Sequence, residues 1–108
     1  MSDFNVDDIL DMQRTLQDRY KAIWAPIEPE NGKNQLLWMI SEVGEVIDVI
    51  KKQGHEAIMA NEAVRAHFVE EMADVLMYYG DVMLCFGITA DELKDAYTQK
   101  FNANMRRW

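Results

Sequence analysis

Apolar residues recur along most of this chain every three or four positions, which is the period of an amphipathic α-helix. The first such stretch runs from about Val6 to Trp24, behind Asn5, a residue that suits a helix N-cap. A segment containing prolines and a glycine, APIEPENG, interrupts the pattern. A second stretch follows from about Lys33 to Gln53, and Gly54 is placed to end that helix.

The second half of the chain predicts two more helices. Asn61 suits the cap of a third helix, which follows a short helical turn and a kink in HEAIMANEAV and ends at Gly87. Thr89 and Glu92 form a capping-box sequence that opens a fourth helix. No strand alternation, internal repeat or second-domain boundary is visible. We therefore predict an all-α, four-helix-bundle-like fold, with residues 1–108 forming a single domain.

The third predicted helix is apolar around almost its whole circumference. At about 100° per residue, its polar side chains fall on one narrow stripe. The stripe contains His67, Glu71, Asp74, Tyr78, Asp81 and Cys85. A helix that is apolar on nearly all sides must be buried on nearly all sides, which one small bundle cannot provide. We therefore expect a homodimer or a dimer of dimers that associates through the central helices, with the polar stripe lining a cleft.

Composition narrows the class of protein. A hydrophobic share of 49% excludes a mostly disordered chain. A net charge of −8 repels phosphate backbones, so we expect no nucleic-acid partner. No apolar run is long enough to cross a bilayer, and the acidic N-terminus lacks an export signal. Together with the single Cys85, these features predict a cytoplasmic protein without a membrane partner.

Two carboxylate pairs stand out on the second and third predicted helices: Glu42-x-x-Glu45 and Glu71-x-x-Asp74. The i,i+3 spacing places both members of a pair on one helical face. Burying such a pair among apolar residues is costly unless a cation neutralises it. Four oxygen ligands suit Mg²⁺, Mn²⁺ or Ca²⁺, whereas zinc would recruit His or Cys. The pairs predict a metal site across two helices, and unrelated surface acids are the alternative interpretation.

The acidic pattern resembles that of the MazG-type all-α nucleoside triphosphate pyrophosphohydrolases. Its most specific parts are SEVGEVIDVIKK and EEMADVLMY, and the resemblance extends from about residue 35 to residue 107. Ser41 stands where the family often has a further glutamate. The resemblance implies Mg²⁺-dependent hydrolysis of (deoxy)nucleoside triphosphates to nucleoside monophosphate and pyrophosphate, with a role in nucleotide-pool house-cleaning.

The same resemblance assigns roles to residues. It implies that Glu42, Glu45, Glu71 and Asp74 bind Mg²⁺, with Mn²⁺ as an alternative. Either Glu42 or Glu45 could instead orient or deprotonate the attacking water. The sequence does not show which carboxylate is the general base and which are metal ligands, nor whether the site holds one metal ion or two.

Substrate contacts are expected at two places. Lys100, Asn104 and Arg107 follow helical spacing near the C-terminus, where the family holds phosphate oxygens. Cations that merely stabilise a helix C-terminus are the alternative. For the base, Trp38 offers a stacking plane with Gln35 one turn before it, although tryptophan is also a common core residue.

Two rival functions remain open at this point. One is a narrower enzyme of the same class, hydrolysing phosphoribosyl-ATP or specific for dUTP or dCTP. The other is a non-catalytic helical binding module, which the departure at Ser41 favours.

Overall fold

The computed structural model describes residues 3–107, and these form helices joined by short connections. The helices are α1 (Val6–Arg19), α2 (Gly32–Gln53), α3 (His55–Ala60), α4 (Glu62–Cys85) and α5 (Ala90–Arg107), and a 3₁₀ turn (Pro29–Asn31) precedes α2. No strand occurs within residues 3–107, which confirms the all-α prediction. The helical turn expected before the third predicted helix is α3.

Side-chain caps begin three of the helices as the sequence predicts. Asn5 and Asp8 form a reciprocal capping box on α1, with backbone-to-side-chain distances of 2.9 and 3.0 Å. The side chain of Asn61 accepts hydrogen bonds from two backbone amides of α4. The backbone amide of Glu92 donates to Thr89 Oγ1 at 3.1 Å, and the Thr89 amide donates to Glu92 Oε1 at 3.1 Å.

The first helix is shorter than predicted, because it ends at Arg19 rather than at Trp24. The backbone amide of Trp24 still donates to the carbonyl of Tyr20, but within an isolated turn, and the two rings stack with centroids 4.7 Å apart. Pro26 disfavours helical geometry at the residue before it, so α1 cannot continue into the loop. The early end frees Trp24 to leave the line of α1.

The centre of the fold is the pair α2 and α4, which pack against each other more extensively than any other two elements. Helix α1 packs across α4, and α3 contacts both α4 and α2. The buried apolar residues are Leu10, Val46, Val49, Ile58, Met83 and Cys85. The lone cysteine is thus a small buried side chain of this core.

Glycine permits the close approach of α1 to α4. A β-carbon added at Gly80 would lie 3.0 Å from Ile9 Cγ2 and 3.1 Å from Gln13 Cγ. The sequence predicts close helix contacts at both helical glycines, Gly44 and Gly80. Of these two, Gly80 has such a contact within one chain and Gly44 does not, since a β-carbon at Gly44 meets nothing within 4 Å.

Helix α5 lies apart from the other helices. The chain bends by 110° between α4 and α5, and α5 contains no buried residue. Its apolar side chains Tyr97, Phe101 and Met105 are 74%, 55% and 68% exposed. The radius of gyration is accordingly 16.3 Å, against about 13 Å for a compact chain of this length. Among residues 3–107, no single helix is long and apolar enough to span a bilayer; α4 and α5 pass that test only as a bent pair.

A larger side chain at Gly80 should separate α1 from α4. We expect Gly80→Leu to lower the free energy of unfolding by about 1–3 kcal/mol, because the new atoms overlap Ile9 and Gln13. The matched control, Gly44→Ala, adds a methyl group in open space and improves helix propensity. It should raise the free energy of unfolding by about 0.5–1 kcal/mol. Urea denaturation measures both, and an unchanged Gly80→Leu would contradict the close packing.

Candidate metal centre

Three of the four predicted ligands converge across the central helix pair. One carboxylate oxygen from each of Glu42, Glu45 and Glu71 lies within 4.8 Å of the other two. Glu42 and Glu45 occupy adjacent turns of α2, and Glu71 faces them from α4. Because α2 packs face to face against α4, the two glutamates of α2 and Glu71 of α4 form one cluster.

Asp74 lies at the edge of this cluster. It follows Glu71 by one turn on α4 and is half-buried, but it is not among the three residues with mutually close oxygens. Its charge nevertheless reaches the cluster, because it raises the pKa of both Glu42 and Glu71. Asp74 and Glu42 also line the same cleft.

A shared hydrogen bond, burial and mutual repulsion raise the pKa of Glu42 and Glu71. The pKa of Glu42 is raised to about 7, chiefly because its carboxyl shares a hydrogen bond with Glu45, and further by burial. Burial is the largest cause of the raised pKa of Glu71, followed by the charge of Glu45. His67 Nε2, 3.8 Å from Glu71 Oε1, lowers the pKa of Glu71 and offsets this only in part.

Two oxygens of the cluster need a partner. Glu42 Oε2 and Glu71 Oε2 are buried, and no hydrogen-bond donor within the described part of the chain reaches them. Buried carboxylate oxygens without a donor are unfavourable unless a cation or a proton satisfies them. The ligand atoms are all oxygens, as hard divalent cations require. The residues therefore fit a metal ion of the magnesium type.

An open cleft of about 620 Å³ adjoins the acids. Its walls come from α1, the turn after it, α2 and α4. The side chains predicted to contact the base, Gln35 and Trp38, both line it, together with Tyr78. The rings of Trp38 and Tyr78 meet edge to face, 6.3 Å between centroids and 66° between planes. The volume lies within the usual range for small-molecule sites.

The family model of the MazG nucleotide pyrophosphohydrolase domain matches residues 30–106. This chain belongs to the MazG nucleotide pyrophosphohydrolase family. The matched segment includes α2, α4 and therefore all four acidic residues of the predicted site. Comparison with curated proteins and with solved structures returns no match.

Part of the cleft comes from outside the MazG match. Gln13 and Gln17 of α1 line it, although the match begins at residue 30. Gln13 Nε2 donates to Asp81 Oδ1 at 2.9 Å, and both side chains are buried. Sequence reasoning placed Asp81 on the polar stripe expected to line a cleft, but it missed Gln13 and Gln17. The signal was present, since Gln13 follows Leu10 by one turn and occupies the buried face of α1.

The C-terminal residues predicted to contact substrate do not lie at the acidic cluster within one chain. Lys100, Asn104 and Arg107 lie on α5, which is exposed along its length and packs only marginally against the other helices. None of the three lines the cleft. If they contact substrate, a second chain must bring them there.

Metal binding should depend on pH. A native pKa of Glu42 raised from 4.5 to about 7 means that the protonated cluster stabilises the fold. That contribution is complete below the unfolded pKa and is lost as pH rises through about 7. Since Mg²⁺ replaces protons at the carboxylates, it should raise the melting temperature more at pH 8 than at pH 5.5. Thermal unfolding with and without Mg²⁺ measures this, and equal shifts at both pH values would contradict it.

Proposed function

We propose that this protein is a Mg²⁺-dependent pyrophosphohydrolase of (deoxy)nucleoside triphosphates, with Mn²⁺ as an alternative metal. It would release nucleoside monophosphate and pyrophosphate. The observation that supports this most is the cluster of three carboxylates, with two unpartnered buried oxygens, beside a cleft of nucleotide size. We further propose that residues 1–108 act as one domain, in the cytoplasm, and that the activity removes unwanted nucleotides from the pool.

Glu42, Glu45, Glu71 and Asp74 would hold the metal ion, which supplies charge neutralisation for the phosphates and lowers the pKa of the attacking water. The protein's own part is positioning and proton transfer. Glu42 and Glu45 are close enough to share a proton, so one of the two is placed to accept the proton of water.

The aromatic section of the cleft would hold the base. Trp38 presents its ring one turn before Glu42 on α2, so a base stacked on it leaves the phosphates near the acids. The edge contact with Tyr78 restrains the Trp38 ring. Stacking alone accepts every base, so the aromatic pair contributes affinity rather than discrimination.

A partner chain would complete the protein. The accessible surface of one chain is 8389 Å², against about 6200 Å² for a folded monomer of this mass. The excess is of the size that a permanent interface buries. The exposed surface includes apolar side chains on α2, α4 and α5, namely Leu37, Ile40, Ile47, Val69, Met72, Phe101 and Met105. We propose a homodimer or a dimer of dimers in which α5 of one chain brings Lys100, Asn104 and Arg107 to the phosphates of the other.

Light scattering should therefore give at least twice the mass of one chain. Phe101→Glu, on exposed α5, should shift the protein toward monomers while leaving the helix content of each chain unchanged. Gln99→Glu introduces the same charge two residues away and should leave the mass unchanged. A wild-type protein that stays monomeric at high concentration would contradict the proposed assembly.

Hydrolysis is tested by measuring pyrophosphate release from nucleoside triphosphates in the presence of Mg²⁺. Glu71→Gln should lower kcat by at least about 100-fold, because it removes a charge from the cluster without removing volume. Glu70→Gln, an exposed neighbour with the same chemical change, should retain wild-type activity. Circular dichroism confirms that both variants fold.

The panel should also contain dUTP, dCTP and phosphoribosyl-ATP, which separates a broad enzyme from a specific one. No turnover of any nucleotide by folded wild-type protein would contradict the hydrolase and favour a non-catalytic binding module. Wild-type activity in Glu71→Gln would show instead that this acid is not part of the reaction.

A further inference from the structure

The cleft has two chemically different ends. On α2 it is lined by Gln35, Trp38, Ser41 and Glu42, and on α4 by Asp74, Met77, Tyr78 and Asp81. Glu42 lies near Asp74, and Trp38 contacts Tyr78, so the two helices run antiparallel along the cleft. Seven residues separate the acidic end from the opposite end on each helix, which is about 10 Å. We call the opposite end, formed by Gln35, Asp81 and Gln13, the inner polar end.

The inner polar end is more deeply buried than the acidic cluster. Gln13, Gln35 and Asp81 are only 4%, 3% and 5% exposed. Three polar side chains at this depth must find partners, either in the protein or in a ligand. Two of them satisfy each other, because the Gln13 amide donates to the Asp81 carboxylate at 2.9 Å.

The third side chain, Gln35, has an acceptor without a hydrogen-bond partner among residues 3–107. Gln35 Oε1 is buried, and nothing in the described part of the chain donates a hydrogen bond to it. The amino group of Gln13 donates to Asp81 and makes no hydrogen bond to Gln35. Asp81 accepts hydrogen bonds from glutamines of α1, so its carboxylate adds a further acceptor and no donor. Gln35 Oε1 is therefore free to accept a hydrogen bond from a donor that the described residues do not supply.

A base stacked on Trp38 would place its outer edge near this end, since Gln35 precedes Trp38 by one turn of α2. We propose that Gln35 Oε1 accepts a hydrogen bond from the exocyclic amino group of the base, so that the cleft selects amino-bearing bases over their keto counterparts. Cytosine is preferred to uracil and adenine to hypoxanthine. This inference rests on the proposed nucleotide site, but it concerns selection rather than hydrolysis.

The selection follows from what a keto oxygen would meet. Replacing the amino group by oxygen sets two acceptors against each other and leaves both buried without a donor. Asp81 strengthens the effect, because a carboxylate near the same edge also repels a carbonyl oxygen. Gln13, which holds Asp81, belongs to α1 and lies outside the segment that matches the MazG family. Gln35 and Asp81 themselves lie within the matched segment, so the inner polar end combines residues of the matched domain with one residue of α1.

Matched substrates test the proposal directly. CTP and UTP differ at one exocyclic group and in the proton of the adjacent ring nitrogen, as do ATP and ITP. We expect kcat/KM to be at least about tenfold higher for the amino-bearing member of each pair. Gln35→Met keeps the length of the side chain and removes the acceptor, so it should bring both ratios to within about twofold of unity. Gln53→Met, the same change at an exposed position of α2, should preserve the wild-type ratios.

A second variant guards against misfolding of the first. Gln35→Asn retains an amide acceptor without adding a charge beside Asp81, and it should keep part of the preference for CTP over UTP. Wild-type ratios near one, or a preference that survives in Gln35→Met, would overturn the proposal and leave hydrolysis standing. The second result would mean that a bound water or another side chain satisfies Gln35.

A binding measurement tests the selection of the base independently of hydrolysis. Calorimetric titration of the wild-type protein with the α,β-methylene analogues of CTP and UTP in Mg²⁺ requires no turnover. We expect at least about tenfold tighter binding of the cytidine analogue. That result in a protein without hydrolase activity would support the selection while contradicting the enzyme, and equal affinities would overturn the selection.

Discussion

The antiparallel packing of α2 against α4 is the constraint on which the rest of the structure depends. Each helix carries a carboxylate pair that on its own would be ordinary surface chemistry. Face to face, the pairs bring oxygens of Glu42, Glu45 and Glu71 within 4.8 Å of one another, and the charge of Asp74 reaches them. The same packing places Trp38 against Tyr78 and Gln35 at the end of the cleft occupied by Asp81. One helix pair therefore determines the order of acid, aromatic and amide groups along the site.

The carboxylates at the acidic end repel one another, and a bound cation would reduce that repulsion. The hydrogen bond with Glu45, then burial and repulsion, raise the pKa of Glu42 to about 7, and two carboxylate oxygens are buried without donors. Such an arrangement disfavours the fold of the metal-free chain at neutral pH. Strongly perturbed pKa values of this kind cluster at functional sites, which is consistent with the MazG family to which the chain belongs.

The sequence predicted the helices and the acids, because both are encoded locally. Caps such as Asn5, Asn61 and Thr89 need only neighbours in the chain, and i,i+3 spacing needs only a helix. The predicted end of α1 was wrong, because residues 20–24 form a separate turn in which the rings of Tyr20 and Trp24 stack. The Gln13–Asp81 hydrogen bond joins residues 68 positions apart, and no local pattern indicates it. The place of α5 was equally hidden, because its apolar face has no counterpart within one chain.

Titration of Mg²⁺ into metal-free protein at pH 6, in two buffers of different ionisation enthalpy, is the most direct test of the acidic cluster. We expect binding accompanied by release of about one proton per site, because Glu42 is largely protonated at that pH and must lose its proton to bind metal. Both the binding and the proton release should disappear in Glu71→Gln. Undetectable binding by the folded wild-type protein, or unchanged binding in Glu71→Gln, would contradict a metal centre at these three carboxylates.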